Sequence, residues 1–239
     1  MVCTRSACGT GKKGMTRLTA ALLGLLVLGA PGFAQADEKF EQIAVRLESN
    51  ATDEDVEVVF EATSGDIGLA TLRVAAPDGR TVIDFKAPDT KLGIRRLVLE
   101  SPEPTNDGRL QKDFPAGAYT FTGSTVKGEK LAGKATLSHQ LPGPASIVWP
   151  RPKEKNVPVK DVQLQWTAPK NLASCLVVIE DEKAGVKVLQ ATLAGTATTL
   201  AVPDGLLAPG REYKVEVATV TREGNRSTVE RNFTTAGKK

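Results

Sequence analysis

Asp53-Glu54-Asp55, together with Asp66, is the acidic group in this chain with the types and spacing closest to a ligand set. Calcium collects about six to eight oxygens from carboxylates, carbonyls and water, commonly on loops. Asp53, Asp55 and Asp66 are therefore the candidate metal residues, although their spacing matches no known calcium loop and acidic turn residues usually just face solvent. Softer metals have less to work with. The chain has one histidine, His139, and of its three cysteines Cys3 and Cys8 precede residue 37, as do both methionines. Zinc and copper sites draw several nitrogen and sulfur ligands together, so no cofactor is expected. His139 beside Gln140 reads as a solvated strand-end residue. Cys175, inside the apolar run Cys175-Leu176-Val177-Val178-Ile179, reads as a buried small hydrophobe. No Gly-x-Ser-x-Gly elbow, phosphate-cradling glycine loop or paired-carboxylate signature is present. The sequence predicts no enzyme.

Two aromatics, Trp149 and Tyr119, have the chemistry to stack on sugar rings. With aromatics at 5% of the chain they make no obvious platform, and Trp149 reads as packing near an interdomain joint. Arg95-Arg96 and the Gly237-Lys238-Lys239 tail read as solvated charge. Asn50-Ala51-Thr52 and Asn225-Arg226-Ser227 fit the glycosylation pattern, which matters only in a eukaryotic host.

The elements that would carry these residues are strands. Ile43 to Glu48, Val56 to Glu61 and Leu69 to Val74 alternate apolar and polar residues with period two. The turn Pro77-Asp78-Gly79-Arg80 joins the last of them to Thr81 to Lys86. Leu97 to Glu100 is a further strand, and Ser101 to Gly108 reads as a loop. Phe114-Pro115-Ala116-Gly117-Ala118-Tyr119 is a turn entering a strand, and Leu131 to Leu137 closes the set. Leu141-Pro142-Gly143-Pro144 then makes a short Pro-rich joint, expected to hold two domains as a semi-rigid pair. Beyond it come Ile147 to Trp149, Val162 to Trp166, Cys175 to Ile179, Val186 to Leu189, Thr199 to Val202, Tyr213 to Val220 and Thr228 to Phe233. No long 3.6-period stretch interrupts them. The fold class is all-β, with two β-sandwich domains in tandem.

Residues 1–36 stand apart. Arg5, Lys12, Lys13 and Arg17 precede the apolar run Leu18 to Ala30, and Ala34-Gln35-Ala36 follows as a small-x-small site. This is the pattern of a cleaved signal peptide, too short to span a bilayer. The expected mature chain starts at Asp37 and has no membrane anchor. Removing those four basic residues from the 31 leaves 27 against 28 acidic ones, a net charge of −1. A near-neutral chain has no electrostatic basis for binding nucleic acid.

The segment Leu207-Ala208-Pro209-Gly210-Arg211-Glu212-Tyr213 carries the sharpest structural signal. A Pro-Gly turn throws the chain into a strand in which Tyr213, Val215 and Val217 alternate with Lys214 and Glu216. A Tyr at that entry buries its ring and returns its hydroxyl to a backbone carbonyl just upstream. With Trp166 as a core tryptophan, with Ile147-Val148-Trp149-Pro150 opening the region and Thr228 to Thr235 closing it, residues 144–236 resemble a fibronectin type III domain. Leu207, Pro209, Gly210, Tyr213 and Trp166 are its expected structural residues. Residues 37–143 resemble the N-terminal region of secreted bacterial proteins that carry one such C-terminal domain. Asn50 to Asp55, Gly65-Asp66-Ile67-Gly68 and Phe114 to Tyr119 carry that resemblance, and Asp53-Glu54-Asp55 departs from it where a Gly is expected. Residues 237–239 form a short basic tail. The resemblance implies architecture and export, and no activity.

The expectation is a secreted or periplasmic binding or structural protein, of spacer or adhesion type, meeting a protein or polysaccharide surface. The alternative is a carbohydrate- or calcium-dependent module accessory to a separate enzyme. A hydrolase in its own right is a third reading, which an acidic pair facing one cleft would support.

Overall fold

In the computed structural model, which describes residues 39–89, 91–103 and 107–237, the alternating segments become strands. β1 (Gln42–Asn50) and β2 (Asp55–Thr63) form a hairpin whose even-numbered β2 residues Val56, Val58, Phe60 and Ala62 are buried. β3 (Leu69–Ala75) and β4 (Thr81–Lys86) form the hairpin expected from Pro77-Asp78-Gly79. β5 (Arg96–Glu100) pairs with β2, and β6 (Gly117–Thr125) and β7 (Lys130–Leu137) pair with each other. The four-stranded sheet β4-β3-β6-β7 closes over β1, β2 and β5. Between them lies a core of Val45, Leu47, Phe60, Leu72, Tyr119 and Phe121, among others.

The second half builds β8 (Ser146–Trp149), β9 (Glu154–Val157), β10 (Gln163–Thr167) and β11 (Ser174–Asp181). β12 (Val186–Ala194), β13 (Thr199–Ala201), β14 (Glu212–Val220) and β15 (Arg226–Thr235) follow. A three-stranded sheet, β13-β10-β8, faces the run β12-β11-β14-β15. Those strands match the seven segments read from the sequence, and this is the sandwich arrangement of a fibronectin type III domain. Trp166 on β10 is 2% exposed and packs with Val177, Ile179, Val215 and Phe233. No signal in the sequence pointed to β9, which lies beside the end of β15.

Two features differ from the sequence reading. A helix, α1 (Asp107–Asp113), starts within the stretch read as a loop. Its hold on the domain is the buried Leu110, and the Phe114 amide donates to the Leu110 carbonyl at 2.8 Å to close it. Seven residues give too little periodicity for a helix to declare itself. The second difference concerns the joint. β1 pairs in parallel with β15, Glu48 opposite Arg226 and Asn50 opposite Thr228, so both halves share one sheet in the order β12-β11-β14-β15-β1-β2-β5. The Pro-rich segment is tied down as well: the Thr219 and Ser227 hydroxyls donate to the Gly143 and Pro142 carbonyls at 2.9 and 2.7 Å.

The proposed signal peptide 1–36 and the mature start at Asp37 lie outside the described residues, as do Lys238 and Lys239 of the basic tail. Among the described residues no helix is long and apolar enough to cross a membrane.

Candidate functional site

The shared sheet has one face covered by the two smaller sheets and one face open. Because strand side chains alternate, the outward residues of each strand, most of them polar, fall together on the open face. β1 gives Arg46 and Glu48, β2 gives Glu57 and Glu61, and β5 gives Arg96, Val98 and Glu100. From the other half, β15 gives Arg226 and Thr228, β14 gives Glu216, β11 gives Leu176 and Val178, and β12 gives Lys187 and Gln190. Over the junction these residues, Glu57 and Glu61 apart, line a groove of about 360 Å³ with walls from both halves.

Its charges are organised. Arg46, 7% exposed, reaches Glu48 at 2.6 Å and the equally buried Glu61 at 3.1 Å. Arg96 holds the other Glu61 oxygen at 2.8 Å. Burial pushes the Glu61 carboxyl up, but hydrogen bonds and charge from Arg96 and Arg46 outweigh it and hold the group below its ordinary value. Arg226 reaches Glu48 across the β1–β15 junction at 3.3 Å, while its Nε is buried without a hydrogen-bond partner. Burial lowers the Arg226 pKa, and Glu48 opposes that.

Beside the groove lies a second hollow of about 270 Å³ lined by Glu48, Asp53, Asp55, Glu57, Glu103, Glu216 and Glu230, with Asn50. Glu57 stands directly opposite Glu48, and Glu216 directly opposite Glu230. Like charges so placed repel. Lys214 relieves the second pair, 3.1 Å from Glu216 and 3.5 Å from Glu230. Among the described residues no cation pairs with Glu57. Burial first, then Glu100, Glu48, Glu103 and Asp55, push its carboxyl up to about 7.

The structure separates the candidate calcium ligands. Asp53 accepts from the Asn50 side chain at 2.8 Å and Asp55 from the Asn50 amide at 3.2 Å, so both serve the β1–β2 turn. Asp66 lies beyond the opposite end of β2, paired with Arg95. Among the described residues no group of three or more His, Cys, Asp or Glu is arranged to hold a metal ion. His139 Nε2 donates to the Phe114 carbonyl at 2.8 Å. Cys175 is fully buried, and burial raises its thiol pKa, with the Trp166 indole opposing. That indole nitrogen has no well-formed hydrogen bond.

The corner around Tyr213 is built with one change from expectation. The ring is 1% exposed and stacks on Phe233 at 5.7 Å. Its hydroxyl, however, accepts from the Ala208 amide at 2.8 Å instead of donating to a carbonyl. The nearby Ala208 carbonyl is taken by the Thr235 hydroxyl at 2.7 Å. Leu207 is buried, Pro209 is exposed, and Gly210 takes the φ of +66° that the turn demands. The carbonyl-bonded version belongs to Tyr119, whose hydroxyl donates to Pro115 at 3.1 Å while its ring packs edge-on against Phe60. Burial pushes the Tyr119 phenol up to about 12. It has no exposed surface for a sugar. The signal was present, since Pro115 precedes Tyr119 by the same interval as Pro209 precedes Tyr213.

Asn225 is the functional residue that sequence reasoning missed. It is 1% exposed. Its Oδ1 accepts from Leu47 of β1 at 2.9 Å, and its Nδ2 donates to the Ser138 and Gln140 carbonyls at 2.8 and 2.9 Å. One side-chain amide thus ties the turn before β15 to β1 and to the segment leading into the Pro-rich joint, and no glycan can reach it in the folded chain. A glycosylation pattern masks this use in sequence.

No family model and no curated protein matches this chain. Among solved structures, similar ones include a two-domain fibronectin type III segment of chicken tenascin, at 15% identity, 83% of this chain, 100% of that one and a TM-score of 0.32. The fibronectin(III)-like modules of Clostridium thermocellum CbhA match at 8% identity, 86% and 93% coverage and a TM-score of 0.32. The BSP domain of a biofilm associated protein matches at 16% identity, 82% of this chain, 29% of that one and a TM-score of 0.27.

Proposed function

We propose that this chain is an exported, non-catalytic binding protein that presents the open face of its shared sheet to a charged protein or polysaccharide surface at the cell envelope or outside it. The observation that carries this reading is the β1–β15 junction, which makes one platform from two sandwiches and places Arg46, Arg96, Arg226 and Lys187 beside Glu48, Glu100 and Glu216. Such a mixed-sign face selects a partner by complementary charge, which favours specificity and on-rate over bulk affinity. Export rests on residues 1–36. The residues with most chemical reactivity are used in other ways: His139 donates to a backbone carbonyl and Cys175 is buried.

The test is capture of partners from the exporting cell by the immobilised full chain, at low and high salt. Capture should fall with salt and be lost on Lys187→Glu with Gln190→Glu, both at exposed positions of β12. Capture that survives those changes but fails on altering Asp53 to Asp55 would move the site to the turn. Turnover of a glycoside, ester or peptide, abolished by changing one groove carboxylate, would replace the reading altogether.

A second reading has its own observation. Half-buried Trp149 lines a hollow of about 410 Å³ with Arg151, Asp161, Gln163 and Gln165. An aromatic flanked by amides and charges is sugar-binding chemistry. Saccharide binding lost on Trp149→Ala would favour this accessory-module reading.

A further inference from the structure

β5 ends the shared sheet, and among the described residues no strand pairs with its outer edge. Two hydrogen bonds fix which of its backbone groups face outward. The Ser101 amide donates to Val58 of β2, and the Ser64 amide after β2 donates to the Arg95 carbonyl. In an antiparallel pair, bonded and outward residues alternate. Leu97 and Leu99 therefore bond β2, and the N–H and C=O groups of Arg96, Val98 and Glu100 point away from it. Such an edge is a template for another strand.

The side chains fit one occupant. In Arg96-Leu97-Val98-Leu99-Glu100, an antiparallel copy centred on Val98 brings Arg96 opposite Glu100 of the second chain and Leu97 opposite its Leu99. The same register sets the outward backbone groups of Arg96, Val98 and Glu100 against each other, in phase for hydrogen bonding. A register shifted by one residue loses both matches, because alternation flips every side chain. Arg96 keeps donors for this contact, since only its Nε is committed to Glu61. Leu99, at 38% exposed, gains cover.

We infer that β5 is the interface of a two-fold dimer, in which a second copy of this chain extends the shared sheet through antiparallel β5–β5 pairing about Val98. The contact is isologous, each strand offering what the other needs. It is also short, so the dimer belongs to the weak, concentration-dependent class. The inference is independent of which partner the open face binds.

The test is sedimentation of the full chain across a concentration series, with Arg96→Glu, Glu100→Arg and the double exchange. The wild type should shift from monomer to dimer with concentration. Each single change places like charges opposite one another and should weaken association at least about tenfold. The double exchange should return to within about threefold of wild type. Mixing the two single variants should give a heterodimer, because the all-acidic edge then meets the all-basic one. Circular dichroism checks that each variant is folded, and Glu100→Arg leaves the Arg96–Glu61 pair in place should Arg96→Glu unfold. A wild type that stays monomeric up to about 1 mM, or single variants that associate as well as or better than wild type, overturns the inference. The latter result would make Arg96 and Glu100 guards against edge pairing.

Discussion

At the residue scale, the side chains that matter most to this molecule are buried polar ones. Asn225→Ala leaves the Leu47 amide and the Ser138 and Gln140 carbonyls without the partner supplied by this buried side chain. An unsatisfied buried group costs about 1–3 kcal/mol, so the substitution should lower stability by about 3 kcal/mol or more in urea melts. A loss under about 0.5 kcal/mol would mean the junction tolerates its absence. Tyr213→Phe should cost about 1–2 kcal/mol, because the Ala208 amide loses its acceptor. Glu57 gives a pH signature. Its folded-state pKa of about 7 lies above the ordinary 4.5, so between those values the folded chain holds the proton more tightly than the unfolded chain. Stability from this group is present below pH 4.5 and is lost as pH rises through 7. Glu57→Gln should therefore stabilise the protein at pH 8 and flatten the fall expected of the wild type between pH 5 and 8. Melting curves of the two proteins that stay parallel across that range would contradict the burial and repulsion assigned to Glu57.

At the element scale, the strands other than β9 were legible from alternation or from a short apolar run, and Trp166 and Tyr213 fell where the alternation placed them. Trp166→Ala should cost about 3–5 kcal/mol through the cavity it leaves, and a smaller loss would show that β10 packs less tightly than described. What stayed hidden was the partner of each strand. Arg46, Glu48, Glu61 and Arg226 occupy the polar positions of ordinary alternating strands, and nothing local in β1 or β15 announces that they pair in parallel across the joint. Long-range pairing leaves no periodic mark. The open face and its groove were therefore invisible. The acidic turn was misleading for the complementary reason: Asp53, Asp55 and Asp66 are near in sequence, yet the length of β2 stands between the first two and the third.

At the scale of the whole molecule, the Pro-rich joint reads in sequence as holding two sandwiches as a semi-rigid pair. The shared sheet, the Asn225 amide and the bonds from Thr219 and Ser227 to the joint add direct coupling between them. A platform for a charged partner works only if its two halves keep their register, so this coupling is the basis of the functional proposal. Differential scanning calorimetry of the full chain tests it most directly. Coupling across β1 and β15 predicts one endotherm, with calorimetric and van't Hoff enthalpies equal within error, and Asn225→Ala should broaden or split it. Two resolved transitions in the wild type, each with its own enthalpy, would show that the halves unfold independently and that no common platform exists.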